Sequence, residues 1–210
     1  MAIELGNEAP DFVVETTQGT IRFHEWKRGH WALLVSHPAD FTPVCTTELA
    51  ALAALSPDLE KRRTKVMAIS VDPLGLHYSW LADIERLAGR PVTFPIAADP
   101  NRWVTKLYGM IHPHCGQDAA RSTFIVDPED RVRLVMAYPA CTGRDFSEIL
   151  RVIDSLQLAD RHGIATPAGW QRGQDVVIPV DMPTAEAERR FGKRIETKAP
   201  YLRTTPQPNE

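Results

Sequence analysis

Apolar residues recur along this chain in two rhythms. Short, nearly continuous runs rich in β-branched residues predict strands: "WALLVS" (31–36), "KVMAISV" (65–71), "VTFPIA" (92–97), "STFIVD" (122–127) and "VRLVMAY" (132–138). Between them lie the helical patterns "TTELAALAAL" (46–55), "HYSWLADIERLA" (77–88) and "RWVTKLYG" (102–109). Buried strands alternating with helices predict an α/β domain with a partly parallel sheet. The turn sequence "DPEDR" (127–131) makes the last two strands an antiparallel hairpin.

The clearest helix follows. Phe146, Ile149, Leu150, Ile153 and Leu156 recur at helical spacing and give one apolar face from about 144 to 158. After residue 160 the texture changes: six of the 17 prolines lie in the last fifty positions, and "DMPTAEAERRFG" (181–192) is the one helical piece. A segment of this kind is expected to lack a core of its own and to wrap its domain or a partner. The expected organisation is therefore 1–160 as the folded domain and 161–210 as an arm.

Composition narrows the function classes. Net charge is −3, with pI near 6.2, so nothing electrostatic favours nucleic acid as a partner. No long apolar run or leader-like start is visible, which predicts no membrane span and a cytoplasmic location. Three cysteines make no disulfide framework, in keeping with a reducing compartment.

The informative cysteine lies in "SHPADFTPVCTTEL" (36–49). Thr42 suits a helix N-cap and Pro43 the first helical position, where a missing N–H costs nothing. Cys45 then falls in the first turn, near unpaired backbone N–H groups and the positive end of the helix dipole. Such a thiol is biased toward thiolate, the nucleophilic form, although a further cation is needed to complete the shift. A buried, inert cysteine is the competing reading. With no Cys-x-x-Cys in the chain, the reactive alternative is a lone activated thiol.

Pro38, Thr42 and Cys45 spell the Pro-x-x-x-Thr-x-x-Cys pattern, and the stretch resembles the active-site loop of the peroxiredoxins. His37, "TTEL", "RSTFIVDP", "YPACTGRDFSEILRV", "ATPAGW" and "YLRTTPQP" resemble the one-cysteine subgroup in particular, in consistent order over nearly the whole chain. The resemblance implies a thioredoxin-like fold with a C-terminal dimerisation arm. It also implies a thiol peroxidase that needs no cofactor and turns hydroperoxides into water or alcohols through a cysteine sulfenic acid. By resemblance Cys45 is the nucleophile, Thr42 offers its hydroxyl, and Arg121 stabilises thiolate and peroxide. Pro38 shields the sulfur, Glu48 orients arginine, and His37 is a hydrogen-bonding neighbour. Arg144, expected in the first turn of its helix, matches a second active-site arginine. The implied partners are a hydroperoxide, an external thiol or other small reductant, and a second copy of the chain in a homodimer, with rings of dimers as a larger form.

Some members of that subgroup carry a lipase-like Gly-x-Ser-x-Gly before the first core strand. Here the region reads "RGHWALL" (28–34) without a serine, so His24 is left without a nucleophile to serve. Cys115 and Cys141 are candidate resolving cysteines, with Cys115, in the loop "MIHPHCGQD", the better placed. His112, His114 and Cys115 lack the spacing of a tetrahedral metal site, and none is expected. A peroxide sensor or holdase chaperone using the same oxidisable Cys45 is the rival function.

Overall fold

The computed structural model describes residues 3–112, 118–192 and 194–209, so Pro113, His114 and Cys115 lie outside the described residues. In chain order the elements are β1 (Val13–Thr16), β2 (Gly19–Arg22), α1 (Phe23–Lys27), β3 (Trp31–Ser36), α2 (Pro43–Lys61), β4 (Thr64–Ser70), α3 (Leu74–Ala88), β5 (Ile96–Ala98), α4 (Trp103–Leu107), β6 (Arg121–Val126) and β7 (Val132–Tyr138). Then follow α5 (Phe146–His162), β8 (Val176–Ile178), α6 (Thr184–Phe191), β9 (Glu196–Ala199) and β10 (Leu202–Thr205). They fall into two compact units, 1–146 and 147–210, with nearly all of α5 in the second.

The first unit is built on a seven-stranded sheet in the order β2-β1-β5-β4-β3-β6-β7. β3, β4 and β5 run parallel, while β6 and β7 add antiparallel strands beyond β3. Every residue of β3 is buried, as a run such as "WALLVS" requires of a central strand. α2 packs against α3 and β4. Elsewhere in the unit Phe12 stacks on Phe23 at 4.8 Å between centroids, and Tyr108 meets Phe12 and Phe124 edge-on.

The fold departs from the sequence pattern in identifiable places. Of the run 92–97, only Ile96 and Ala97 enter a strand; Pro95 has no N–H to give a ladder, although its carbonyl accepts from Ala68. The hairpin β1–β2 is missing from the sequence reading because its strands are four residues long and half exposed. α2 continues through Pro57 to Lys61.

In the second unit the segment after residue 160 packs on the end of α5. Leu158, Ile164, Trp170 and Val176 form a buried cluster, with Ala159 and Phe191 packed against it. β8, β10 and β9 form a small antiparallel sheet, braced by Arg203, which donates to the carbonyls of Pro179 and Met182. Trp170 is buried and Phe191 half-buried, while Tyr201 is 72% exposed. Among the described residues no helix is long and apolar enough to cross a membrane.

Candidate active site

The C-terminal end of β3 is pinned before the site begins. Ser36 donates its hydroxyl to the Ala120 carbonyl at 2.6 Å and accepts the Ser122 N–H at 3.0 Å, tying β3 to the start of β6. The chain then passes through buried His37 and half-buried Pro38. Phe41 takes a left-handed φ of 55° and lies half out in solvent, its ring 6.2 Å from that of buried Trp80. Thr42 is extended and α2 starts at Pro43, as the sequence predicts. The Thr42 hydroxyl does not cap the helix; it turns back to donate to the Ala39 carbonyl at 2.8 Å.

Cys45 is the third residue of α2 and wholly buried. Arg121, the first residue of β6, points Nη1 at the Cys45 sulfur, 3.3 Å away. The same Nη1 donates to Glu48 Oε2 at 2.8 Å, and Nε and Nη2 both donate to the Ala140 carbonyl, at 3.0 and 2.6 Å. Glu48 sits one turn beyond Cys45 on the same helix face. Arg144 lies two residues before α5, not in its first turn. Its backbone N–H and Nε donate to Glu48 Oε1, and Nη2 donates to Oε2, at 2.8 to 2.9 Å. Its Nη1 reaches the Ser122 carbonyl and the Thr123 hydroxyl.

Two buried guanidiniums thus share one buried carboxylate. Burial alone would raise the Glu48 carboxyl; the hydrogen bonds and charge of Arg144, joined by Arg121, outweigh it and hold the group below the usual carboxylate range. One positive charge remains over, beside the sulfur.

A second cluster has no signature in the sequence. Asp40, within the quoted loop, faces His37 Nε2 through Oδ1 at 2.9 Å and His77 Nδ1 through Oδ2 at 2.5 Å. Asp72 accepts the Asp40 N–H at 2.9 Å. Burial holds His37 below the ordinary histidine value, against the pull of Asp40. His77 could have been suspected as the polar residue on the buried stripe of its helix. Asp40 looks like any loop carboxylate.

Cys45 and Cys141 are both free thiols, the first buried and the second exposed; Cys115 lies outside the described residues. His24 bonds to the Ala9 carbonyl and approaches Asp130.

Removing Glu48 leaves two buried cations facing each other. Glu48→Ala is expected to destabilise the protein by about 3–5 kcal/mol. Because the folded-state pKa is depressed, the stability due to ionised Glu48 is fully present above the ordinary carboxylate range and lost as pH falls through the folded value. Urea unfolding across that acid range should therefore show a shallower pH slope for Glu48→Gln than for wild type; equal slopes would refute this role.

Comparison with known proteins places these features in a lineage. Residues 5–135 match the AhpC/TSA family model, and residues 155–193 match the C-terminal domain of 1-Cys peroxiredoxin. The chain is 43% identical over 209 residues to the 1-Cys peroxiredoxin of Dictyostelium discoideum, spanning 99% of this chain and 87% of that one. It is 45% identical over 218 residues to peroxiredoxin-6 of Gallus gallus, spanning 97% of each. Among solved structures, a cysteine-to-serine mutant of the peroxiredoxin 6 of Arenicola marina superimposes with a TM-score of 0.96 over the whole of both chains at 40% identity. The yeast mitochondrial 1-Cys peroxiredoxin, studied for thiol resolution via glutathione/thioredoxin systems, gives 0.91 at 41% identity, over 97% of this chain and 99% of that one.

Proposed function

The chain belongs to the AhpC/TSA family, in its 1-Cys peroxiredoxin branch with a thioredoxin-like fold, and from that premise we propose how its site carries out the reaction. The protein is a thiol-specific peroxidase that reduces hydroperoxides with thiol reductants. Cys45 attacks, as thiolate, the terminal oxygen of the hydroperoxide; a sulfur–oxygen bond forms as the oxygen–oxygen bond breaks. The products are Cys45 sulfenic acid and an alkoxide or hydroxide, which takes up one proton to leave as alcohol or water. The single observation that carries this reading is the Arg121 Nη1–Cys45 Sγ contact at 3.3 Å within a site holding one more cation than anion. That surplus charge favours the thiolate and meets the negative charge that gathers on the departing oxygen.

The other roles are those the family resemblance implies. Glu48 aims both arginines, Arg144 sharing its carboxylate with Arg121. Pro38 screens the sulfur from water and Thr42 presents its hydroxyl to the bound peroxide. An external thiol then reduces the sulfenic acid: two thiols supply two electrons, leaving as a disulfide and releasing water. No observation favours the sensor or holdase reading over this cycle. The cytoplasm is the compartment that the small, odd number of cysteines favours.

The segment from 161 onward acts as an assembly arm on the peroxidase domain 1–160, giving a homodimer from which rings of dimers can be built. Val180 and Tyr201, exposed by 73% and 72%, support this, since large apolar groups left in solvent mark contact surfaces.

Three outcomes are expected. Cys45→Ser abolishes peroxide consumption with the fold retained, and Arg121→Ala slows single-turnover oxidation of Cys45 by about 10²-fold or more. Thr42→Val is damaging and Thr42→Ser mild; rates equal to wild type in stopped-flow fluorescence would refute these roles. Second, a Cys115→Ser/Cys141→Ser variant keeps turnover with dithiothreitol and with thioredoxin. A Cys45 disulfide to either position, mapped by mass spectrometry of the oxidised wild type, would overturn the one-cysteine cycle. Third, Val180→Glu/Tyr201→Glu lowers the assembly mass measured by light scattering; an unchanged mass would exclude these residues from the dimer contact.

A further inference from the structure

The end of the sheet away from Cys45 carries a cleft that peroxide reduction does not use. Lys65, the second residue of β4, pairs with Ala32 near the start of β3, whereas the cysteine loop leaves the other end of β3, at Ser36. A cleft of about 210 Å³ opens beside Lys65. Phe94 and Pro95, both buried, give it an apolar floor. Trp26 of α1 and Glu60, near the end of α2, line it as well.

The floor is held by main-chain bonds on both sides. Gln18 Nε2 donates to the Thr93 carbonyl at 3.0 Å, and the Thr17 N–H donates to the Ile96 carbonyl at 3.0 Å. The Pro95 carbonyl accepts the Ala68 N–H at 3.1 Å. A ligand entering here meets a surface already in place, so little ordering is charged against its binding.

Lys65 brings an uncompensated charge to this apolar floor. Its ammonium has three N–H donors. One meets the Trp26 carbonyl, and the charge lies 5.3 Å from the centre of the Trp26 ring. Among the described residues Lys65 has no carboxylate partner, Glu60 included. Burial therefore pushes the half-buried ammonium below the ordinary lysine value, with no anion to oppose the shift. Arg63, two positions earlier, likewise gives Nη2 to a main-chain oxygen, the Gly29 carbonyl at 3.2 Å.

We propose that this cleft is a binding site for a small aromatic carboxylate, whose anion takes the two unspent N–H groups of Lys65 and whose ring covers Phe94 and Pro95. Size agrees with this, since a cavity of about 150 Å³ holds benzene and a carboxyl group on the ring fills the remainder. So does the chemistry. A carboxylate gives the ammonium the charge-assisted partner it lacks, and the ring removes apolar surface from water. Exposed Glu60 repels a second negative charge, which favours a monoanion over phosphate. The inference is independent of the role of Cys45, which lies at the other end of the sheet.

The first test is on the wild-type protein, with benzoate as the probe and selective 15N-tryptophan labelling. The Trp26 indole signal should move and saturate with a Kd of about 0.1–1 mM, the strength that a ligand of roughly nine non-hydrogen atoms reaches. Benzyl alcohol has the ring without the charge, and acetate and inorganic phosphate have the charge without the ring. Each should bind about 10-fold more weakly or worse. Trp80 reports on the other end of the sheet, because its Nε1 donates to Thr46 and its ring lies 5.4 Å from that of His37. Movement of Trp80 alone would put benzoate beside Cys45 and overturn the proposal. No movement of Trp26 at millimolar benzoate would also overturn it, as would equal binding of benzyl alcohol or acetate.

The second test uses two variants, and the wild-type comparisons above decide the matter if either fails to fold. Lys65→Gln keeps an N–H for the Trp26 carbonyl and removes the charge; it should weaken benzoate by about 10-fold or more. Glu60→Gln removes the repelling charge and should tighten benzoate by about 2–3-fold at low salt. A benzoate Kd unchanged in Lys65→Gln would overturn the proposal, and so would weaker binding in Glu60→Gln, which would put the anion beside a different cation.

Discussion

Much of the first unit answers to one imbalance: two guanidiniums and a single carboxylate buried together. Taking an ion out of water is costly, so each charge has to find its compensation within the protein. Glu48 receives four of the donors of Arg121 and Arg144. Backbone carbonyls at Ala140 and Ser122 absorb others. What remains uncompensated faces the sulfur. A site tuned only for stability would match its charges; this one leaves a cation beside the sulfur.

That arrangement dictates where the strands end. β6 begins at Arg121 and runs beside both β3, which leads to the cysteine loop, and β7, which leads to Ala140. One hairpin thus delivers an arginine and the carbonyl that holds it, while Ser36 locks the neighbouring strand in step. The parallel part of the sheet sets the height at which α2 starts, and so the depth of the thiol.

What could be read from the sequence was what is local. β3 and β7 fall on the residues their apolar runs mark, and the start of α2 follows from Thr42 and Pro43. Cys45 was identifiable because a helix start is a feature of three or four consecutive residues. The partnership of Glu48 with Arg144, 96 positions apart, has no such signature, and neither does that of Asp40 with His77. Nothing about the Arg144 side chain in sequence reveals that the Glu48 carboxylate will claim it. The core of the second unit was hidden for a similar reason. Trp170 and Val176 look isolated in a proline-rich stretch until Leu158 of the preceding helix joins them.

The anchor of Arg121 has a genetic corollary. Two of its nitrogens end on a carbonyl oxygen of the main chain, at a position occupied by alanine. Exchanging the Ala140 side chain leaves that oxygen in place, so a substitution scan would score the position as permissive. The dependence of the site on it is invisible to any survey that reads side chains. Only changes that redirect the backbone, by ring closure, insertion or deletion within 139–143, would reveal it. Tolerance at a position and irrelevance of that position are different properties, and here they part.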